Sequence, residues 1–171
     1  REARSARRSI GGKVGPPERR VTTLIGCPLG KYNDLIQTWV RGAAVPIAEL
    51  VGFRVTDCRD GVATIELEAS ARHHNQMGTV HGGVLSVLAE ACMGVSVASG
   101  LADDEMLATI QINVTYHRPL VSGLVRAVAR TVNRGKTIAY ATCEVSNAGQ
   151  QMLASATSTW AIRKAPADTR L

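Results

Sequence analysis

The stretch GGVLSVLAEACMGVSVASGLA, which runs from Gly82 to Ala102, decides the fold expected of this chain. It is apolar nearly all round and contains one charged side chain, Glu90. We expect a buried helix from about Gly82 to Ser99, because a helix without a polar face must be covered on several sides. A carboxylate left unpaired in such an interior costs several kcal/mol, so it is either neutralised or used.

The residues before this helix form a loop of distinctive composition. The sequence NQMGTVHG, from Asn75 to Gly82, is small and polar and contains glycine. Such a loop is suited to delivering a substrate to the N-terminus of a helix, where backbone N–H groups have no partner within the helix. Together with an acid further along the same helix, the loop favours an enzyme.

Alternation of apolar and polar residues predicts strands on both sides of the helix. Upstream, residues 53–58 and 63–69 form a predicted hairpin with Asp60-Gly61 as its turn. Downstream, four strands are predicted, at 109–116, 124–132, 137–146 and 152–162. In the first of them the apolar residues Ile110, Ile112, Val114 and Tyr116 alternate with Thr109, Gln111, Asn113 and Thr115. The short linkers suit an antiparallel meander, so the predicted fold is α+β, an antiparallel β-sheet wrapped around a long central α-helix.

The length of 171 residues suits one domain with a sizeable core. Residues 1–22 lack periodicity and are expected to form a flexible basic tail. Residues 23–50 are expected to be an N-terminal helical segment, an extra amphipathic helix that Pro46 breaks or restarts. The folded domain is expected over residues 51–163, with a C-terminal tail at 164–171.

The positive charge of the chain is concentrated at one end. The net charge is +6, and residues 1–20 hold seven Arg or Lys against two Glu, which leaves 13 basic and 12 acidic residues elsewhere. A nucleic-acid-binding protein should instead carry basic residues on a folded face, so this partner class is not expected. The expected location is cytoplasmic, or the mitochondrial matrix if the basic N-terminus is a transit peptide.

Cysteine spacing and the end of the apolar run exclude two further classes. Cysteines occur at 27, 58, 92 and 143 without a CxxC pair or a Cys/His cluster. They are therefore expected to be reduced, mostly buried thiols, and neither a metal site nor a disulfide framework is expected. The apolar run contains Glu90 and is followed by Asp103-Asp104-Glu105, which favours a core helix over a membrane span.

With these motifs in place, the chain resembles the hot-dog-fold acyl-CoA thioesterases, in the branch that includes phenylacetic-acid-pathway and 4-hydroxybenzoyl-CoA thioesterases. The resemblance rests on NQMGTVHGG at 75–83, LAE at 88–90, INVTY at 112–116 with Arg118-Pro119, and RGKT at 134–137. It covers about residues 51–162. It implies hydrolysis of a thioester between an acyl or aryl-acyl group and coenzyme A, with no metal and no cofactor beyond the coenzyme A of the substrate. It also implies homodimers, commonly paired into homotetramers, with active sites at the subunit interface.

The resemblance implies a role for individual residues. The backbone N–H of Gly82, at the helix N-terminus, would stabilise the oxyanion. Glu90 would act as the nucleophile or as the general base that activates water, and both roles stay open. Asn75 would bond the thioester carbonyl or the attacking water, with a purely local turn role as the alternative. His81 would support the loop, and Thr109 would help to bind the water.

Helix geometry adds an expectation that does not depend on the family. Gly82 and Glu90 are eight residues apart, which corresponds to about 12 Å along a helix. A glutamate side chain does not span that distance to reach a carbonyl held at the N-terminus of its own helix. The oxyanion donor and the acid of one site are therefore expected from two copies of the chain, which predicts an obligate dimer.

A basic turn is the candidate for binding the phosphates of coenzyme A. Cationic side chains and exposed N–H groups suit phosphate, although an ordinary solvated turn is the alternative. The candidate residues are Arg134, Gly135, Lys136 and Thr137, with Arg118 as a second cation.

Two other functions compete with hydrolysis. One is a non-catalytic acyl-CoA-binding protein of the same fold, and the other is an enoyl-thioester hydratase or dehydratase. The intact Glu90 disfavours the first, and the spacing of acids and histidines disfavours the second. The identity of the acyl group is not encoded in any motif of the chain.

Overall fold

The computed structural model describes residues 45–164. The predicted basic tail at 1–22, most of the predicted helical segment at 23–50 and nearly all of the tail at 164–171 lie outside this range, and their boundaries stay predictions. In chain order the elements are α1 (Pro46–Val51), β1 (Phe53–Arg59), β2 (Val62–Ala69), a 3-10 helix (Ala71–His73), α2 (Gly82–Ala98), β3 (Glu105–Tyr116), β4 (Gly123–Arg134), β5 (Ile138–Asn147) and β6 (Met152–Lys164).

The six strands form one antiparallel sheet in the order β1-β2-β4-β5-β6-β3. Helix α2 contacts all six strands, as a sheet curved around it requires. The predicted α+β fold, an antiparallel sheet wrapped around a long central helix, is therefore confirmed. Strands β1 and β3 are the edges, and β3 is 12 residues long.

The predicted hairpin turn is confirmed in detail. Asp60 and Gly61 both have positive φ, at 51° and 73°. This is the geometry of a type I′ turn, whose twist matches the right-handed twist of the flanking strands. Gly61 meets this requirement without strain because it has no Cβ.

The core is aliphatic and lies between α2 and the inner face of the sheet. Alternate residues of each inner strand point to the helix, as a half-buried strand requires. Its largest fully buried side chains are Ile65, Leu67, Leu88, Met93, Leu153, Val95, Val97, Val125 and Val145. No helix within residues 45–164 combines the length and apolarity needed to cross a bilayer.

Three of the four cysteines, Cys58, Cys92 and Cys143, lie in the described range, and all three are buried. A hydrogen bond with Cys143, together with burial, raises the pKa of the Cys92 thiol well above its ordinary value. The thiol therefore stays neutral and behaves as a small apolar core group. Cys27 lies outside the described residues.

Candidate active site

Helix α2 begins at Gly82 with an unsatisfied donor. His81 precedes it as the N-cap, and its Nδ1 accepts a hydrogen bond from the N–H of Gly83 at 2.9 Å. The carbonyl of His81 accepts from the N–H of Val84 at 2.9 Å. No acceptor within residues 45–164 takes the N–H of Gly82. Within residues 45–164 the helix terminus therefore presents the free N–H of Gly82, and the functional role of His81 stays a prediction.

An aromatic ring closes one side of this helix start. A Cβ placed on Gly82 would lie 3.1 Å from Cε1 and 3.2 Å from Cζ of Tyr116. Both distances are shorter than an ordinary van der Waals contact. Gly82 therefore allows the ring of Tyr116, at the end of β3, to pack directly against the helix backbone.

Sequence reasoning missed a polar pair beside Gly82. The hydroxyl oxygens of Ser86 and Tyr116 are 2.6 Å apart, and Ser86 donates a hydrogen bond to the carbonyl of Gly82 at 3.3 Å. A helical pattern could have identified Ser86, because positions 82, 86 and 90 are four residues apart and lie on one side of the helix. Nothing in the sequence indicated that Tyr116 faces the same side.

Glu90 lies on this side of α2 but is not buried as expected. Its side chain is exposed in the single chain, because β3 is an edge strand and no further strand among residues 45–164 covers that side of the helix. Thr109 donates a hydrogen bond to its Oε1 at 2.9 Å. No ion pair within the described part of the chain includes Glu90. The carboxylate is thus held by a hydroxyl and is not neutralised by a cation.

A β-bulge brings Thr109 to this side of the sheet. Thr109 pairs with Trp160 and Gln111 pairs with Thr159, so Ile110 is an extra residue on β3. Regular alternation would put Thr109 and Tyr116 on opposite faces. The extra residue shifts the alternation by one position, so both side chains face α2. The faces expected from the strand pattern are therefore wrong for this pair.

The side chain of Asn75 is used within its own loop. Its Oδ1 accepts from the N–H groups of Met77, at 2.9 Å, and Thr79, at 3.3 Å. Its Nδ2 lies 3.1 Å from Oγ1 of Thr79. These contacts match the local turn role that the sequence left open. A contact between Asn75 and substrate stays a prediction.

Arg134 is already paired with an acidic side chain. It forms an ion pair with Glu105 and donates to the carbonyl of Gly135 at 2.8 Å. A hydrogen bond from the N–H of Ala102 and the contact with Arg134 lower the pKa of Glu105 below its ordinary value. Arg134 therefore links the end of β4 to the start of β3, a contact that competes with any role in binding phosphate.

The other candidates for coenzyme A binding are accessible. Gly135, Lys136 and Thr137 are exposed in the connection between β4 and β5. Arg118 is exposed and donates to the carbonyl of Met152 at 3.2 Å. Their role in binding phosphate stays a prediction. No cluster of three His, Cys, Asp or Glu side chains suited to a metal ion occurs within residues 45–164.

Comparison with known proteins gives a family match over the middle of the chain. A family model described as "Thioesterase superfamily" matches residues 77–154, which include α2 and β3. The 1,4-dihydroxy-2-naphthoyl-CoA hydrolase of Listeria monocytogenes is 27% identical over 118 residues, 69% of this chain and 96% of that protein. The proofreading thioesterase EntH of Klebsiella pneumoniae is 34% identical over 88 residues, 50% of this chain and 63% of that protein.

A solved structure gives the same picture of the fold. The conserved protein PA5202 of Pseudomonas aeruginosa is 31% identical, with a TM-score of 0.67, over 70% of this chain and 95% of that chain. These three similar proteins are bacterial, and they do not support the mitochondrial alternative.

Proposed function

The chain belongs to the hot-dog thioesterase superfamily and is a thioester hydrolase, and from that premise we propose that it cleaves the thioester of an acyl- or aryl-acyl-coenzyme A. In this proposal Glu90 is the nucleophile or general base, and the N–H of Gly82 is the oxyanion donor. The products are the free acid and coenzyme A. The name of the Listeria hydrolase, which includes a CoA thioester, supports the choice of coenzyme A as the leaving group.

The observation that carries the proposal is the N–H of Gly82 at the start of α2, which has no acceptor among the described residues. The N-terminus of a helix carries a partial positive charge, and a free N–H there is aimed outward. A thioester carbonyl that accepts this N–H gains most stabilisation when its oxygen becomes negative, which occurs in the tetrahedral transition state.

Glu90 has the chemistry to start the reaction. Oε1 is held by Thr109, while Oε2 has no hydrogen-bond donor among the described residues. Oε2 is therefore available to attack the carbonyl carbon, giving an anhydride that water then hydrolyses, or to remove a proton from an attacking water. In both routes the thiolate of coenzyme A leaves as the carbonyl reforms.

Two chains are needed to assemble this site. Gly82 and Glu90 are about 12 Å apart along the same helix. The exposed Glu90 lies beside β3, an edge strand whose outer backbone groups have no partner within residues 45–164 and whose Ile110 is 56% exposed. A long open edge of this kind is suited to a second copy, which would supply the opposite half of the site. We propose a homodimer with interfacial active sites, which pairs into a homotetramer.

Replacement of Glu90 by Gln tests the catalytic assignment. The amide keeps the size of the side chain but neither attacks a carbonyl nor takes a proton, so release of free thiol from acyl-CoA should fall about 10²- to 10⁴-fold. The matched control is Glu144→Gln on the outer face of β5, which should retain activity. Near-wild-type turnover of several acyl-CoAs by Glu90→Gln would exclude the assignment, and tight binding by the wild type without thiol release would point to an acyl-CoA carrier.

A further inference from the structure

The hydroxyls of Ser86 and Tyr116 form a short chain with a defined direction. A serine hydroxyl has one proton, and that of Ser86 goes to the carbonyl of Gly82. At 2.6 Å the two hydroxyls are hydrogen-bonded, and distance alone allows either oxygen to donate; because the Ser86 proton is assigned to the Gly82 carbonyl, we assign Tyr116 as the donor. A phenol is also the more acidic of the two groups, which favours the same direction.

The direction leaves the phenol oxygen of Tyr116 with acceptor capacity only. Its proton is in the hydrogen bond to Ser86, and no group within residues 45–164 donates a hydrogen bond to its oxygen. We infer that Tyr116 is a specificity-determining residue, which accepts a hydrogen bond from a donor on the thioester substrate. The inference rests on the proposed function, because it takes the Gly82 N–H as the place where the carbonyl binds.

The position of Tyr116 limits where that donor lies. Its phenol oxygen is 3.5 Å from the Cβ position of Gly82, and therefore within about 6 Å of the Gly82 nitrogen. When the carbonyl oxygen of the substrate accepts the N–H of Gly82, substrate groups a few bonds from that carbonyl lie within hydrogen-bonding reach of the phenol. Two parts of a thioester meet this requirement: a hydroxyl on the acyl group near the carbonyl, and the nearest amide N–H of the pantetheine arm.

The variant Tyr116→Phe tests the inference because it removes the phenol hydroxyl, and with it the acceptor and the hydrogen bond to Ser86, and keeps the ring against Gly82. Tyr140→Phe is the matched control, since Tyr140 lies on the outer face of β5 and is 48% exposed. Each protein is assayed with pairs of CoA thioesters that differ by one hydroxyl, butyryl against 3-hydroxybutyryl and benzoyl against 2- and 3-hydroxybenzoyl. The same acyl groups are also assayed as thioesters of ethanethiol, which has no amide.

The two possible donors predict different results. If the acyl hydroxyl is the donor, the wild-type preference for one hydroxylated substrate falls about 3- to 10-fold in Tyr116→Phe and is unchanged in Tyr140→Phe. If the pantetheine amide is the donor, the wild-type preference for CoA over ethanethiol thioesters falls by the same factor for every acyl group. Either result supports the inference.

Ser86→Ala gives a readout that a purely structural role of Tyr116 would not produce. Without Ser86 the phenol proton is released and is free to donate to the substrate. The recognised donor on the substrate is then replaced by an acceptor of similar size, such as methoxy for hydroxyl or an ester for the amide. This replacement should lower the rate of hydrolysis less in Ser86→Ala than in the wild type. The effect should appear as a change of about 3- to 10-fold in the ratio of the hydrolysis rates of the two substrates.

Binding measurements separate this inference from the proposed function. Non-hydrolysable CoA thioethers with a ketone in place of the thioester carry the same donors, and calorimetry measures their affinity without turnover. If the wild type binds them but hydrolyses no thioester, the proposed function fails while the affinity ratios still test Tyr116. The inference is wrong if Tyr116→Phe keeps both wild-type preferences, for hydroxylated over unsubstituted acyl groups and for CoA over ethanethiol thioesters, in turnover and in binding.

Discussion

The hydroxyl of Thr109 donates a hydrogen bond to Oε1 of Glu90 across 2.9 Å, linking the edge strand to the central helix at the proposed catalytic carboxylate. The contact exists because the extra residue Ile110 changes the alternation of β3. It orients the carboxylate by a donor on one oxygen and leaves the other oxygen without one. Thr109 is in this arrangement a positioning residue for Glu90.

Thr109→Val should therefore lower kcat while leaving KM nearly unchanged. Valine keeps the shape and the β-branching but removes the hydroxyl, and a hydrogen bond to a charged group contributes about 1.5–3 kcal/mol. We expect a loss in kcat of about 10- to 100-fold. Thr109→Ser, which retains the donor, should restore most of the rate. Equal rates for the valine and serine variants would contradict the positioning role.

Gly82→Pro should remove the oxyanion donor while retaining the helix. Proline is favoured at the first position of a helix, and His81 before it has ψ 133°, an extended conformation that proline accepts. Since the N–H of Gly82 bonds nothing within the described residues, no structural hydrogen bond is lost.

The control for this variant is Gly82→Ala, which introduces the same Cβ against Tyr116 but keeps the N–H. We expect Gly82→Pro to be about 10²- to 10³-fold slower than Gly82→Ala in thiol release. Circular dichroism would verify that both retain their helix. Similar rates for the two variants would remove Gly82 from the mechanism.

Mixing two inactive variants should restore activity if each site uses two chains. In a dimer of one Glu90→Gln chain and one Gly82→Pro chain, one site receives both defects and the other receives neither. Refolding the variants together at equal concentration should give about one quarter of wild-type activity, since about half of the dimers are mixed and each has one intact site. Activity no greater than the sum of the separate variants would indicate sites built within single chains.

The Arg134–Glu105 pair should contribute stability that depends on pH. The pKa of Glu105 is lowered in the folded state from an ordinary value of 4.5, by the N–H of Ala102 and by Arg134. A carboxyl with a lowered pKa stabilises the fold fully at pH values above its ordinary pKa. The contribution disappears as the pH falls through the pKa of the folded state.

Glu105→Gln should consequently lower Tm at pH 7 and lower it less at pH 3. Thermal unfolding at both values, with Glu144→Gln as the control, measures the difference. An equal decrease in Tm at pH 7 and pH 3 would show that the charge of Glu105 is not responsible.

Much of the fold was predictable because its patterns are local. The positive φ values at Asp60 and Gly61 follow from the residue types, and the apolar run beginning at Gly82 has the length and composition of a buried helix. Strand order, in contrast, depends on contacts between distant segments. The placement of β3 at the edge of the sheet has no signal in its own residues.

The site was predictable where it follows the helix and unpredictable where it depends on β3. Gly82 and Glu90 became candidates from spacing within one element, and their roles stay predictions. The exposure of Glu90 was predicted wrongly, because an apolar sequence does not show which side of a helix the sheet leaves open. The bulge at Ile110 has no compositional marker, so the strand pattern assigned Thr109 and Tyr116 to opposite faces.

The contact between Gly82 and the ring of Tyr116 constrains how this protein can diverge. A methyl group at position 82 requires the ring to shift by a few tenths of an ångström, so a residue larger than alanine there is expected only in descendants that carry a smaller side chain at 116. Such a pair of changes would also discard the phenol. If the proposed roles of Gly82 and Tyr116 hold, a lineage that exchanged this glycine would alter its substrate preference at the same time.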